Sequence, residues 1–259
     1  FRRMLFGDGT GKLCTVKSKV SASVYEVDTV KEYFVGMQVD VYTVLNKPAL
    51  NAEGIYVTAV DRVNGTVTFD AEISDLIVDG GVYVHGSKDS ELTGLGAIFD
   101  GDTLYGFVKA DDPYFAPYIA DGGGTLSEGA LSDVLDYMEE NCNSKINAIL
   151  CSFKTRKKIA ALADANRRVV NTIDVRAGYG AVSVNDVPVY ADKYCPDDRI
   201  IFINSDDFSL YQLCDWEWLE DEDGKILKQI PGKAAYSATL VKYAELICRK
   251  PCGQAMLVN

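Results

Sequence analysis

The stretch AVSVNDVPVY, residues 181–190, carries the pattern that decides the fold of the C-terminal half. Two valine-rich runs flank Asn185-Asp186, a pair that favours a tight turn because both residue types tolerate a left-handed backbone. The flanking runs are short and β-branched, as is typical of strands. The stretch therefore predicts a β-hairpin.

The segments around this hairpin alternate between helix and strand. A buried strand is predicted over residues 146–151, and a basic helix follows over 154–165. Further β-branched and aromatic runs at 199–204 and 209–213 predict two more strands. This order of elements indicates that an α/β unit opens near residue 146.

A helix is predicted immediately before that unit, over residues 126–141. Thr125 to Glu128 has the pattern of a capping box, in which the threonine hydroxyl accepts a hydrogen bond and the glutamate reaches back. One apolar stripe follows at helical spacing: Leu131, Val134, Leu135 and Met138.

The segment after residue 213 is rich in aromatic and acidic residues. Trp216 and Trp218 are two residues apart and would share one face of a strand. We expect Asp223-Gly224 to turn this strand back into residues 226–230. The mostly apolar run 235–248 then predicts a long final strand region.

Residues 20–88 have a different, all-β character. They contain six short β-branched or aromatic runs, and Asn64-Gly65 is a strong signal for a two-residue hairpin. Short strands at this spacing predict a small barrel or sandwich.

The glycine-rich sequence GDGTGK, residues 7–12, is not a phosphate-binding loop. Such a loop needs four residues between its first glycine and its Gly-Lys pair, and a Ser or Thr after the lysine. Here only three residues separate Gly7 from Gly11, and Leu13 follows Lys12. Glycine at every second position instead predicts a turn between two arms, residues 1–5 and 13–16. A two-stranded arm without a core is marginal alone, so we expect a partner to cover it.

Neither the acidic residues nor the cysteines have the spacing of a metal site. An EF-hand loop with Gly224 at its sixth position would place Leu219 and Ile230 where acids are needed. Asp100-Gly101-Asp102 predicts a turn. The seven cysteines form no CxxC pair, which disfavours zinc and favours reduced packing residues in an intracellular protein.

The sequence also lacks a recognisable catalytic constellation. His85 is the single histidine, at a predicted strand end, so Ser-His and Cys-His catalysis would require His85 itself. Ser152 and Ser205 lie in neither a GxSxG nor an SxxK pattern. We therefore expect no enzyme and no cofactor, and a function exerted through surfaces.

Charge and composition narrow the possible partners. The 259 residues carry 26 basic and 38 acidic side chains, a net charge of −12, which disfavours a large nucleic-acid-binding surface. The basic residues 156–158 and 167–168 are expected to form the solvated face of a helix. No apolar stretch has the length of a membrane span. Because the first residue is Phe, we expect that an N-terminal segment was processed or lies outside this sequence.

Several stretches resemble the major capsid protein of tailed phages, which has the Hong Kong 97-type fold. The similar sequence segments are residues 170–173, 181–189, 201–208, 211–218, 224–227 and 231–236. Residues 91–95 resemble the segment that precedes the long helix of the family's peripheral domain. The resemblance covers residues 1–19 and 89–259.

The resemblance implies an α+β capsid fold with an extended loop, a peripheral domain and an axial domain, plus an inserted small all-β domain. Along the chain, the implied order is as follows: extended loop, 1–19; inserted β-barrel-like domain, 20–88; peripheral domain with the long helix, 89–145; axial domain, 146–232; return strands of the peripheral domain, 233–259. The inserted domain would decorate the shell or add a contact between subunits.

The resemblance further implies a subunit that assembles with itself, as hexamers and pentamers, into an icosahedral shell around double-stranded phage DNA. The extended loop would contact a neighbouring subunit through Phe6, Gly7, Asp8, Gly9, Thr10, Gly11 and Lys12. Decoration, scaffolding and portal proteins are possible partners, DNA would be contacted non-specifically, and no membrane is involved. The location would be the virion, assembled in the host cytoplasm. We expect no covalent cross-link through Lys12.

Two other functions fit parts of the sequence. An encapsulin-like compartment with the same fold would enclose a cargo protein instead of a genome. A carbohydrate- or ligand-binding protein could be built around residues 20–88. Electron microscopy, co-purified cargo and binding by the β-module separate these alternatives.

Overall fold

The computed structural model describes residues 2–43, 50–73, 80–165, 173–174, 180–220, 224–232 and 234–259. The helices in these ranges are α1 (Arg2–Phe6), α2 (Leu95–Asp100), α3 (Glu128–Cys142) and α4 (Phe153–Ala165). The first strands, in chain order, are β1 (Lys12–Lys19), β2 (Val24–Val27), β3 (Gln38–Tyr42), β4 (Leu50–Asp61), β5 (Thr66–Phe69), β6 (Gly81–Val84), β7 (Thr103–Leu104), β8 (Phe107–Val108), β9 (Tyr118–Asp121) and β10 (Ala148–Cys151). The later strands are β11 (Ile173–Asp174), β12 (Gly180–Val184), β13 (Val187–Ala191), β14 (Arg199–Ile203), β15 (Phe208–Gln212), β16 (Glu217–Trp218), β17 (Lys228–Gln229), β18 (Tyr236–Ser237), β19 (Leu240–Val241), β20 (Ala244–Cys248) and β21 (Ala255–Val258).

The chain is α+β and divides into two compact units. One unit, which we call the body, comprises Phe1–Ser205 and Lys250–Asn259. The other, the ladder segment, comprises Asp206–Arg249. No helix in the described ranges is both long enough and apolar enough to cross a membrane.

The N-terminal part of the body is a closed β-barrel with strand order β1-β2-β5-β4-β3-β6. Because side chains alternate along each strand, every strand points one set of residues inward. The inward set is large and apolar and includes Val16, Tyr25, Val41, Val67 and Phe69, all at most 2% exposed. The barrel interior is therefore a packed core rather than a ligand cavity.

The predicted hairpin with arms at residues 1–5 and 13–16 is wrong, because these two segments do not pair with each other. Residues Arg2–Phe6 form the short helix α1, and β1 pairs with β2 and β6 as a barrel strand. Leu13, Cys14 and Val16 are buried in the barrel core, where they lose more apolar surface than an isolated two-stranded arm could remove. The barrel consequently begins at Lys12, and the boundary predicted at 19/20 falls inside it.

A seven-stranded mixed sheet, β11-β12-β13-β10-β14-β21-β9, forms the second part of the body. The predicted turn at Asn185-Asp186 is confirmed, since β12 pairs antiparallel with β13 and the two residues have φ of 46° and 65°. β10 pairs parallel with β13 and antiparallel with β14. β21, from the chain's last residues, lies between β14 and β9.

One hydrophobic core joins this sheet to its helices, and it crosses two predicted domain boundaries. Leu131 and Met138 of α3 belong to the same buried cluster as Ile149, Phe202 and Leu257 of the sheet. Dividing the chain at 145/146 would separate α3 from the sheet and expose the apolar residues of both. The predicted boundary at 232/233 lies between the paired strands β17 and β18.

Helix α3 is present as predicted, but its cap differs. The N-cap is Ser127, whose hydroxyl accepts a hydrogen bond from the Ala130 amide at 3.1 Å, and not Thr125. The helix therefore begins at Glu128, so this carboxylate lies in the first turn, where the helix dipole favours negative charge. Asn143 ends the helix in the left-handed conformation, with φ of 47°.

The ladder segment consists of three successive two-stranded antiparallel pairs, β15-β20, β16-β19 and β17-β18. The prediction that Asp223-Gly224 returns the tryptophan strand into residues 226–230 is wrong, because Trp218 pairs with Leu240. The turn lies instead at Pro231-Gly232, where Ile230 N–H donates to the Ala235 carbonyl at 2.9 Å. Proline followed by a glycine at φ 75° suits a tight turn. Asp223 lies outside the described residues.

Candidate assembly surfaces

The seven predicted contact residues, Phe6 to Lys12, lie together at the junction of α1 and β1, in a turn that the body itself holds. Asp89 N–H donates to the Thr10 carbonyl at 2.8 Å, and Glu91 N–H donates to that of Gly9 at 3.3 Å. The Asp8 carboxylate accepts the Thr10 amide at 3.0 Å, and Gly9 and Gly11 have φ of 87° and 77°. Contact with a neighbouring subunit stays a prediction for this turn.

Helix α1 packs closely against the segment that leads into α2. A β-carbon on Gly94 would lie 2.6 Å from the Leu5 carbonyl oxygen and 2.7 Å from that of Gly7. Real β-carbons do not approach backbone this closely, so the packing requires glycine at this position. Helix α1 is therefore held by close packing against residues of its own chain.

Arg3 of α1 joins two other parts of the body through ion pairs. Its guanidinium lies 3.2 Å from the Glu32 carboxylate and also pairs with Glu91. All three side chains are mostly buried, and burial raises the pKa of Glu32 to about 7, although the nearby Arg3 charge opposes the rise. One arginine therefore pairs with two mostly buried carboxyl groups.

Next to this group, the body has an open cleft of about 580 Å³. Buried Leu13 and Met37 contribute apolar surface, and Phe34 is 60% exposed. Lys193 lies on the lining with its ammonium 4.4 Å from the ring centroid of Tyr194. Arg2, Arg3 and Glu32 also line the cleft, so its walls combine apolar side chains with three cations and one carboxyl group.

The ladder segment exposes most of its apolar side chains. Among its described residues only Leu246 and Cys248 are buried. Its exposed large hydrophobic residues are Leu210, Tyr211, Leu213, Trp216, Trp218, Leu219, Ile226, Leu227, Tyr236, Leu240 and Tyr243. An apolar surface of this kind marks a site of interaction with another macromolecule.

The two tryptophans show how little of this segment is covered. Trp216 is 65% exposed and Trp218 51%. Lys242 lies 5.9 Å from the Trp216 ring centroid and pairs with Asp215 at 2.6 Å, which orders the ring without burying it. The sequence shows both tryptophans and predicts a strand region over 235–248, but it does not show that this region is exposed. The Pro231-Gly232 pair just before that region was the available signal for the turn of the ladder segment.

His85 has a structural partner. Its Nδ1 lies 2.7 Å from Asp40, a buried carboxylate that also accepts the amides of Gly54 and Gly86 at 2.7 and 2.8 Å. Although burial alone would raise the pKa of Asp40, the hydrogen bonds from Gly86, His85 and Gly54 lower it overall. Asp40, in the middle of β3, thereby links β4 to the residues that follow β6.

Other residues that the sequence singles out also have structural contacts. The Ser152 hydroxyl accepts the Thr155 amide at 3.2 Å at the start of α4, and Asp100 pairs with Arg199 at 2.7 Å. Burial raises the pKa of Cys14 and Cys195 to about 12. Within the described ranges, no three His, Cys, Asp or Glu residues are grouped to hold a metal ion.

Comparison with known proteins returns weak structural likenesses. No family model matches the chain, and no curated protein matches it. A chain of the cyanophage A-1(L) capsid asymmetric unit is 16% identical with a TM-score of 0.44, and the match covers 66% of this chain and 60% of that one. A chain of the holo-SrpI encapsulin complex from Synechococcus elongatus PCC 7942 is 13% identical with a TM-score of 0.43, covering 54% and 52%. This chain therefore matches about 60% of the capsid chain and half of the encapsulin chain.

Proposed function

We propose that this protein is a subunit of a self-assembling protein shell. The observation that carries the proposal is the ladder segment, whose paired strands have almost no core of their own and expose two tryptophans and many other large apolar side chains. Two-stranded elements gain stability when another surface covers them. Copies of the same chain, arranged with closed symmetry, can supply that surface at every position.

The finer proposal is a tailed-phage capsid that encloses double-stranded DNA. It is supported by the sequence segments 181–189, 201–208 and 231–236, which resemble tailed-phage capsid proteins. A net charge of −12 suits a wall that confines DNA without binding it tightly. Such a subunit acts through its contacts and performs no catalysis, and portal, scaffolding or decoration proteins would join the shell.

An encapsulin-like compartment is the second candidate, because it needs the same self-assembly and differs in what it encloses. A ligand-binding function centred on the barrel is less well supported. The barrel interior is filled by Tyr25, Phe69 and their apolar neighbours, so a ligand there would have to displace packed side chains.

Negative-stain electron microscopy and sedimentation of the purified protein test the proposal. We expect uniform closed particles for the wild type. A variant with residues 206–249 replaced by a short Gly-Ser linker should stay folded and monomeric. The linker can be short because Phe208 pairs with Cys248 and the Arg249 amide bonds to the Asp207 carbonyl at 2.8 Å.

A point variant with a matched control sharpens this test. Replacing Trp216 and Trp218 by Ser should weaken assembly while leaving the circular dichroism spectrum unchanged. Val63→Ser, at a 93% exposed position in a barrel turn, removes a single apolar side chain and should have no effect. A wild-type protein that stays monomeric at micromolar to millimolar concentration would contradict the proposal.

A further inference from the structure

The cleft of the body and one face of the ladder segment have complementary chemistry. The cleft offers apolar surface from Leu13, Phe34 and Met37 beside the cations Arg2 and Lys193. These groups are suited to an apolar segment that also carries negative charge.

The ladder segment contains such a sequence. Glu217, Trp218, Leu219 and Glu220 line one concave surface there, together with Ile226. All four side chains are exposed, and the sequence continues with a further acidic run at 221–223. Large apolar groups therefore alternate with carboxylates in this short stretch.

We propose that residues 216–220 of one copy bind in the cleft of a second copy, with Trp218 and Leu219 on the apolar surface and the glutamates near Lys193 and Arg2. This inference rests on the proposed self-assembly and names the surfaces that would carry it. A cavity of about 580 Å³ is large enough for one or two bulky side chains.

The charges already present in the cleft favour this occupant. Arg2 pairs with Asp192 and Arg3 with Glu32 and Glu91, while the Lys193 ammonium lies 4.4 Å from the Tyr194 ring centroid and interacts with the charge of Glu32 without an ion pair to it. A carboxylate from the partner would add an ion pair to Lys193, which is exposed at the cleft surface. Such pairs contribute to specificity and to the rate of association.

The contact would join two different surfaces of the same chain. A head-to-tail contact of this kind leaves the cleft of one subunit and the ladder segment of the other free for further subunits. Repetition produces a ring if the rotation closes and an open filament if it does not. The contact can therefore build the rings from which a closed shell is made.

A charge-swap experiment tests this contact by sedimentation velocity over a range of concentrations. Lys193→Glu, and separately the double variant Glu217→Lys with Glu220→Lys, should each raise the concentration for half-assembly by about tenfold or more, since like charges then face each other. Combining all three substitutions in one chain restores opposite charges at every contact and should recover most of the assembly. Lys17→Glu makes the same change in net charge at an exposed barrel position outside the cleft and should have no effect.

The outcomes separate this inference from the proposed function. Closed particles that form equally well with Lys193→Glu and Lys17→Glu, or a triple variant no better than its parents, would overturn the contact and leave the shell intact. Swap-dependent oligomers that never close would support the contact and contradict the shell. A chain that remains monomeric throughout would overturn both, and thermal unfolding of each variant confirms that it is folded.

Discussion

Two glycines control how closely the N-terminal helix can approach the body. Gly94 and Gly96 face the backbone of residues 4–7, and a β-carbon at either position would overlap a carbonyl group. Gly94 has φ of −92°, which any residue can adopt, so its requirement is one of space rather than backbone conformation.

Gly94→Ala should therefore destabilise the protein by about 1–3 kcal/mol, the range for overpacking a closely packed site. Thermal unfolding measures the loss, and trypsin cleavage at Arg2 and Arg3 should become faster as α1 detaches. Gly129→Ala is the control, since a β-carbon there would have the Ser127 hydroxyl as its nearest neighbour at 3.9 Å. Alanine within a helix should raise stability by about 0.5–1 kcal/mol.

Glu32 should make stability depend on pH in an unusual direction for a carboxylate. Its pKa is raised from 4.5 to about 7, so the folded state holds a proton there that the unfolded state releases. Between pH 4.5 and about 7, the free energy of unfolding of the wild type falls as pH rises. The reason is that the carboxyl group ionises in the unfolded state, whereas burial opposes its ionisation in the folded state.

Glu32→Gln removes this ionisation and should stabilise the protein at pH 8 by about 1–3 kcal/mol. The difference from the wild type should shrink towards pH 5, where the native Glu32 is protonated. Chemical denaturation at both pH values measures it. A variant that is less stable than the wild type at pH 8 would mean that the Arg3 ion pair outweighs the cost of burial.

Among the secondary-structure elements, helix α3 begins where the Ser127 hydroxyl caps it. Ser127→Ala removes the acceptor for the Ala130 amide and should cost about 1 kcal/mol. Thr125→Ala, two residues earlier, should change the unfolding free energy by less than about 0.5 kcal/mol. Equal losses from both substitutions, measured in urea, would favour the capping box that the sequence pattern suggests.

The stability of the strand pairs in the ladder segment depends on the surface that packs against them. Its strand pairs satisfy backbone hydrogen bonds along the ladder, but none of the described residues of β16-β19 and β17-β18 is buried. Only the first pair, β15-β20, contributes buried residues, Leu246 and Cys248. We therefore expect the pairs β16-β19 and β17-β18 to exchange amide hydrogens fastest in a dissociated subunit, and more slowly after assembly.

At the scale of the whole molecule, the contents of the purified particle separate the two kinds of shell. We expect co-purified double-stranded DNA, detected by absorbance at 260 nm and by nuclease resistance, if the particle is a phage capsid. A stoichiometric second polypeptide without DNA would instead indicate an encapsulin-like compartment. Denatured particles should give one band at the mass of a single subunit, and a ladder of covalent oligomers would contradict the expectation that Lys12 forms no cross-link.

The sequence by itself determined those features that depend on near neighbours in the chain. The Asn185-Asp186 hairpin, the apolar stripe of α3 and the β-rich character of residues 20–88 follow from turn chemistry and periodicity, which act over a few residues. The absence of motifs for catalysis was also apparent there. The ladder segment's turn was mislocated because Asp223-Gly224 and Pro231-Gly232 are both good turn formers, and only the pairing of distant strands distinguishes them.

Only the tertiary structure decided which segments share a core. Lys12–Lys19 completes a barrel instead of forming a free arm, and Ala255–Val258 enters the sheet built by residues far earlier in the chain. These choices depend on burial against partners distant in sequence, which local patterns do not encode. Burial also distinguishes the surfaces: the ladder segment exposes large apolar side chains that no local pattern marked as exposed, while contact through the turn of residues 6–12 stays a prediction.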